Sequence, residues 1–536
     1  MASDLPAPDL LCADGRLRLD RVAAREALVF AFAAGGSVEV FDDVVARASL
    51  PASSWQKSAF ARDLYLDDIA TKSLAVRIDG KAQPTCTRYI ARILAEPPDD
   101  AGDLALRRGV LEELVSSPGA RGEVERLYLA VVRLRALLCV SRQPAPRVRR
   151  IEILRACRAA FDALAGSFEG ATSGLTRLRA FGAAVVAGAG YTRLRALLDH
   201  EENLGSLDLR VRVGADGEVR AMEIVRVHEG RGNPFYVPVL RRFFARIALA
   251  FRGYRTTSQE VAERLLSEVF GGVEEPVMFL LQVAADLELF MGALGFRDRA
   301  LAKGLAVSLA VMGEPGGELR YEGLFNPLLL ETAAQPVPTD LNARPGALVL
   351  VTGPNSGGKT RLLQALATAQ VLAQAGLFVP ARSATIPRAT GLFASLFEEA
   401  RSDQPEGHLG MELLRIRRLF DELGPGALVV IDELCSGTNP SEGEEIARMV
   451  LSLLPELGVR SFVTTHLLLF AAGLASEGSP MPLEFLQVEL DPEEQPTYRF
   501  VPGVARTSLA HRTAARLGVT RDELLARIAK RRRGEG

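Results

Sequence analysis

The stretch that most constrains this chain is Leu348-Val-Leu-Val-Thr-Gly-Pro-Asn-Ser-Gly-Gly-Lys-Thr360: an apolar run, a glycine turn, then a lysine and a hydroxyl. Gly353 and Gly358 stand at the spacing G-x-x-x-x-G-K-[ST]. Glycines there let successive backbone N–H groups turn inward around phosphate oxygens, while the following helix aims its positive end at the same anion. Gly353, Pro354, Asn355, Ser356, Gly357, Gly358, Lys359 and Thr360 are therefore the candidate cradle for ATP, with Lys359 on the outer phosphates and Thr360 on Mg2+. The flanks agree: a strand candidate precedes the turn, and Arg361 to Ala375 carries Leu362, Leu366 and Ala373 at helical spacing before Gly376 as a stop. Of the 64 lysines and arginines only six are lysine, and Lys359 is the only lysine between Lys303 and Lys530. Arginine replaces a solvating lysine almost anywhere, but a compact ammonium among phosphates is harder to replace.

A second apolar run, Leu428-Val-Val-Ile-Asp-Glu433, ends in two carboxylates. That is the form of a buried parallel strand delivering acids to the phosphate end of a sheet. Asp432 is suited to hold magnesium and Glu433 to polarise the attacking water. The separation of 432 − 359 = 73 residues leaves room for a few strands and helices and excludes a long coiled coil between the two motifs. Downstream, Ser461-Phe-Val-Thr-Thr-His466 is a third short strand, placing His466 where a sensor of the terminal phosphate would stand. Glu433, Lys359 and His466 are the candidate catalytic residues; Thr360 and Asp432 are the candidate magnesium ligands.

At 536 residues with 48% hydrophobic and 24% charged side chains, the chain has material for several globular domains. A net charge of −2 supplies no global attraction to nucleic acid, so such binding would need local basic surface. Five cysteines form neither a C-x-x-C pair nor a metal spacing, so neither zinc nor disulfides are expected. The N-terminus lacks a basic n-region, and Ala27 to Ala34 is far too short to span a bilayer; a cytoplasmic location without a membrane partner is expected.

Along the chain, residues 1–60 read as an N-terminal helical segment and 61–310 as a mainly helical core, with Ser141 to Arg147 a linker and Pro276 an interruption. Within 200–235 the period changes to two: Leu207, Leu209, Val211 and Val213 alternate, Asp216-Gly217 turns, and Val219 to Val227 returns as a hairpin. Arg210, Arg212, Arg220 and Arg226 share one parity, which suggests one face; solvated face and phosphate contact are both open readings. Residues 311–345 read as a connector, 346–490 as an alternating strand–helix ATPase domain, and 491–536 as C-terminal helices with a basic tail.

Together these motifs resemble the MutS family of DNA mismatch-repair ATPases. The phosphate loop, the run Asp432-Glu-Leu-Cys-Ser-Gly-Thr-Asn-Pro-Ser-Glu-Gly443, the Thr-Thr-His466 end and Tyr498-Arg-Phe-Val-Pro-Gly503 followed by Ser508 to Gly518 all carry the likeness, the last resembling the family's C-terminal dimer-contact segment, which makes 491–536 dimer-contact helices with the basic tail. Ala375-Gly-Leu-Phe-Val-Pro-Ala381 and the Gly-Thr-Asn-Pro-Ser-Glu-Gly form are most similar to the second MutS branch, which bears a C-terminal Smr nuclease domain; no such domain is expected within these 536 residues. Thr87 to Asp99, Arg107 to Leu114 and Asp286 to Phe290 look like parts of the family's lever, and Asn326-Pro327-Leu328 stands where the family has His-Pro-Leu. The resemblance implies an α/β P-loop, ABC-like ATPase domain preceded by a mainly α-helical lever and core domain with a small β-hairpin clamp-like insert. It implies a homodimer that opens and closes on DNA (duplex, mismatched or branched) as ATP is bound and hydrolysed, in DNA mismatch repair or recombination control alongside other repair proteins. On the resemblance, the segment before the lever is not expected to be an N-terminal mismatch-reading domain. The family's Ser-Thr pair that reaches the partner's ATP falls on Gly407 and His408. Candidate DNA contacts are the hairpin arginines with Arg147, Arg149 and Arg150, in a cluster that also holds Arg142, Arg155 and Arg158. The alternatives are a ribosome-associated ATPase of translation quality control and a nucleotide-binding scaffold with little turnover.

Overall fold

A computed structural model describes residues 5–140, 146–202, 204–213, 219–229, 258–332, 335–396, 408–435, 439–476, 482–506 and 519–532. The chain divides into two compact units, residues 1–49 with 112–287 and residues 50–111 with 288–536.

The first unit is helical. Asp20 starts the helix Arg21–Ala34 by accepting the N–H groups of Val22 and Ala23, each at 2.9 Å, which satisfies two donors that a helix start leaves open. The helices Pro118–Cys139, Pro146–Ala165, Leu175–Ala187 and Ala189–Glu202 follow. Pro146 opens its helix, where a missing N–H costs nothing, so the end of the expected linker is the first turn of a helix. Pro276 sits in the first turn of Glu274–Ala302, which starts just after the helix Ser258–Gly271 ends, so the expected interruption falls immediately before the proline. That helix is long and apolar enough to cross a membrane, but its apolar window is entirely buried within the protein, as in a core helix.

The hairpin forms as expected, from Leu204–Val213 and Val219–Glu229. Arg210 pairs with Glu223, Arg212 with Ala221 and Arg226 with Asp208, while the register jumps across Arg220 and again between Asp208 and Leu209. Arg226 thus stands opposite Asp208, two and four positions from Arg210 and Arg212 on the facing strand, whereas Arg220 falls at a register shift, where parity stops being a guide.

The second unit is built on a six-stranded sheet: β1 Leu348–Thr352, β2 Leu392–Ser395, β3 Leu428–Ile431, β4 Arg460–Thr464, β5 Leu483–Leu490 and β6 Pro496–Pro502. The order is β2-β3-β4-β1-β5-β6, parallel except where β6 returns antiparallel on β5. Every residue of β1, β3 and β4 is buried, which is why these strands read as unbroken apolar runs and not as alternation. The six-stranded sheet thus extends past residue 490, and Tyr498 to Pro502 is edge strand rather than helix. Residues 311–345, expected to be a connector, supply Val311–Gly313, Leu319–Leu324 and Thr339–Ala343 to a second sheet completed by Ser383–Pro387.

Helix Lys359–Gln374 follows β1 and is buried almost throughout. Gly376 ends it at φ +83°, where a Cβ would stand 2.9 Å from the Cβ of Arg107. Asn326 joins this helix to the second sheet's end: its amide donates to Gln364 Oε1 at 2.8 Å and to the Arg361 carbonyl at 3.1 Å, and its own oxygen accepts Leu328 N–H at 3.0 Å.

Candidate functional site

The register sets the ends of β2, β3, β4 and β1 level: Ser395 pairs with Ile431, Ile431 with Val463, and Thr464 with Val351. The residues after those ends therefore meet along one edge of the sheet, the edge where open parallel sheets bind their ligands. Gly353 leaves β1 at φ +143°, Ser356 and Gly358 are left-handed at +67° and +92°, and the helix begins at Lys359. Val488 of β5 underlies this turn so closely that a Cβ on Gly353 would lie 2.6 Å from its Cγ2, and one on Gly357 3.0 Å. Gly353 is thus required by contact as well as by its positive φ, and Gly357 by contact. Gly353→Ala should cost about 1–3 kcal/mol, seen as a lowered thermal midpoint; an unchanged midpoint would mean that Val488 can retreat.

Lys359 is buried, and its Nζ donates to the carbonyls of Gly353 at 3.1 Å and Pro354 at 3.2 Å. Burial lowers its pKa, opposed by the attraction of Glu433 and Asp432. Thr360 Oγ1 donates to Asp432 Oδ2, and Thr464 Oγ1 donates to Asp432 Oδ1 at 2.5 Å. Glu433 follows at φ +52°, with its N–H on Thr464 Oγ1 at 2.8 Å. The loop, the lysine, the threonine and both acids are thereby brought to one place. These groups fit a magnesium triphosphate: N–H groups of a first helical turn and an ammonium for phosphate, a hydroxyl oxygen and a carboxylate for the metal.

His466 lies just beyond β4 and is exposed, with its carbonyl accepting Leu468 N–H at 3.0 Å. Arg147 is exposed and Arg150 is partly exposed, donating to the Ala33 carbonyl at 3.2 Å and lying over the Phe32 ring. Arg149 is a correction. It is buried with its guanidinium on the carbonyls of Ala31 and Phe32, so it ties helices together and has no face to offer a phosphate. Arg155 pairs with Glu152, and Arg158 with Asp199 and Asp162. The side chains of Arg210, Arg212, Arg220, Arg226 and His408 lie outside the described residues, as do Arg142, Gly407 and Ser436 to Thr438.

Three residues join the site that sequence reasoning passed over. Thr464, not its neighbour Thr465, is the hydroxyl that seats the acid pair. Glu412 accepts the N–H of Cys435, itself left-handed at φ +61°, at 2.6 Å. Tyr498, half exposed at φ +62°, brings its ring to 3.4 Å from where a Cβ on Gly358 would sit. Adjacent Thr-Thr at a strand end was the one available signal; the other two contacts come from elements distant in sequence. Burial, with the Glu412 carboxylate second, pushes the Cys435 thiol up to about 12. Reactivity requires thiolate, so alkylation of folded protein at pH 8 should spare Cys435, and mass spectrometry of its peptide checks this.

The fold and this site define a P-loop ATPase of the parallel-sheet kind. Residues 349–512 match the family model for MutS domain V, so this part of the chain is the ATPase domain of the MutS family. The chain is also 35% identical over 241 residues to an Endonuclease MutS2 of Thermus thermophilus, covering 43% of this chain and 31% of that protein. Endonuclease MutS2 of Thermomicrobium roseum is 35% identical over 215 residues and that of Halothermothrix orenii 32% over 216, each covering 39% of this chain and 26% of the relative. The matches thus span about a third or less of those relatives' length.

Proposed function

We propose that this protein is a cytoplasmic, homodimeric MutS-type switch that binds DNA and changes its grip on it as ATP is bound and hydrolysed. The observation that carries this is the Thr360–Asp432–Thr464 chain of hydrogen bonds, which joins the phosphate loop to the acid strand at one edge of the sheet. The DNA part is supported by the MutS domain V match and by relatives named as endonucleases.

In this mechanism the turn 353–358 and Lys359 would hold the phosphates, and Thr360 and Asp432 would hold magnesium, which would supply neutralisation of charge on the phosphates. Glu433 orients water and accepts its proton. A coupling of about 1–3 kcal/mol between the ATP and DNA sites would switch DNA affinity by one or two decades.

The test is the ATPase rate of purified protein alone and with homoduplex, mismatched DNA, branched DNA or ribosomes. Stimulation by DNA supports the proposal, stimulation by ribosomes alone replaces it with a translation role, and no turnover leaves a scaffold. Arg147 is the exposed candidate of its cluster. If it meets a phosphate, Arg147→Ala should weaken DNA binding and reduce the log–log salt slope by about 0.9. An unchanged slope would remove it from the interface.

A further inference from the structure

Asp63 comes from far upstream of the ATPase sheet in sequence, is 7% exposed, and yet belongs to the compact unit that holds the acid pair. Its Oδ1 accepts the N–H of Leu396 at 2.9 Å and its Oδ2 accepts Nη2 of Arg415 at 2.7 Å. Leu396 follows the last residue of β2, Ser395, whose carbonyl accepts the N–H of Asp432 at 2.8 Å. Arg415 lies on the helix His408–Glu422, three residues from Glu412, which holds the backbone of Cys435. One carboxylate therefore pins both the strand end that seats Asp432 and the helix that seats the turn after Glu433.

The contact is not isolated. Trp55 Nε1 donates to the Ala389 carbonyl at 3.0 Å and Ser54 Oγ to the Thr390 carbonyl at 3.0 Å, so residues 54–63 follow edge strand β2 from before its start to its end. Ser58 Oγ accepts a hydrogen bond from Arg418 on the same helix. Burying a carboxylate is costly unless it is paired and hydrogen-bonded, and an apolar side chain would fill this space with less penalty. Its placement makes sense if geometry at the acid pair is what it secures.

We propose that Asp63 is a positioning residue for ATP hydrolysis, tying turnover to the seating of residues 54–63 along β2. The proposal rests on the ATPase reading above. The experiment uses the full chain and measures Mg-ATP hydrolysis, affinity for a fluorescent ATP analogue, and thermal midpoint. Asp63→Ala should lower kcat about tenfold, because small misplacements of reacting groups are costly. Its KM and analogue affinity should stay within about threefold of wild type, since the phosphate loop is untouched.

Arg415→Gln, on a side chain 36% exposed, provides a second variant should Asp63→Ala fail to fold, and it should lower kcat in the same direction. The double variant Asp63→Asn with Arg415→Gln restores a neutral hydrogen bond and should recover part of the rate lost in Asp63→Ala, which a loss of bulk stability would not predict. Unchanged kcat in folded Asp63→Ala or Arg415→Gln would overturn the proposal, as would affinity and kcat falling together. With wild type turning over and Lys359→Ala losing the analogue, those results remove only the role of Asp63. A wild type that neither binds nor hydrolyses ATP removes the ATPase reading, and this proposal with it.

Discussion

Glu433→Gln should slow ATP hydrolysis by roughly two to four decades, the range contributed by a positioned general base, while leaving nucleotide affinity close to wild type. The amide keeps the shape of the side chain and the backbone bond from Glu433 N–H to Thr464, so the left-handed turn at this residue survives. What it loses is the charge that attracts Lys359 and the capacity to take a proton from water. Binding depends on the loop and on Thr360 with Asp432, none of which the substitution touches. The expected signature is therefore a protein that still retains labelled ATP with magnesium and releases phosphate very slowly. Single-turnover phosphate release with bound-nucleotide measurements separates the two effects. Equal rates in variant and wild type would mean that Glu433 carries no chemistry and would favour a nucleotide-binding scaffold.

Much of this site is legible from the chain because parallel strands buried on both faces leave continuous apolar runs, and because their loops are short. Leu348 to Thr360 and Leu428 to Glu433 each hold a strand and its functional end within a few residues. Local order then implies local geometry. The edge strands are harder to read. β5 and β6 are partly exposed and break the helix–strand alternation, so Tyr498 to Pro502 passes for part of a helical dimer segment. The supports of the acid pair are harder still: Asp63 meets Leu396 and Arg415 across 333 and 352 residues, and no periodicity in a single sequence encodes such a pairing. Arg149 illustrates the opposite error. A run of arginines invites a phosphate reading, yet one of them faces inward to cap carbonyls of another helix, and only burial tells it from its neighbours Arg147 and Arg150. Among the hairpin arginines parity loses its meaning only at Arg220, where the register jumps.

Arg18→Met should destabilise the helical unit by about 3–5 kcal/mol, the cost of leaving a buried charge without its partner. Arg18 is fully buried, with Nε on Asp9 Oδ1 at 3.1 Å and Nη2 on Asp286 Oδ1. Asp9 also accepts the N–H groups of Leu11 at 2.9 Å and Cys12 at 3.1 Å, and the Arg18 backbone donates to Gln282 Oε1 at 2.6 Å. The network thus ties residues 9–18 to the helix Glu274–Ala302, and the methionine would leave two fully buried carboxylates facing a thioether. Restoring charge balance should help: Arg18→Met with Asp286→Leu removes one stranded carboxylate and should recover a measurable part of the loss, a coupling that a double-mutant cycle resolves. The two units can be followed by different probes, because the single tryptophan, Trp55, belongs to the ATPase unit while circular dichroism also reports the many helices of the helical unit. In urea, circular dichroism of Arg18→Met should begin to fall before Trp55 fluorescence changes. If both signals keep the wild-type midpoint, the buried triad contributes no net stability and its ion pairs merely offset their own desolvation.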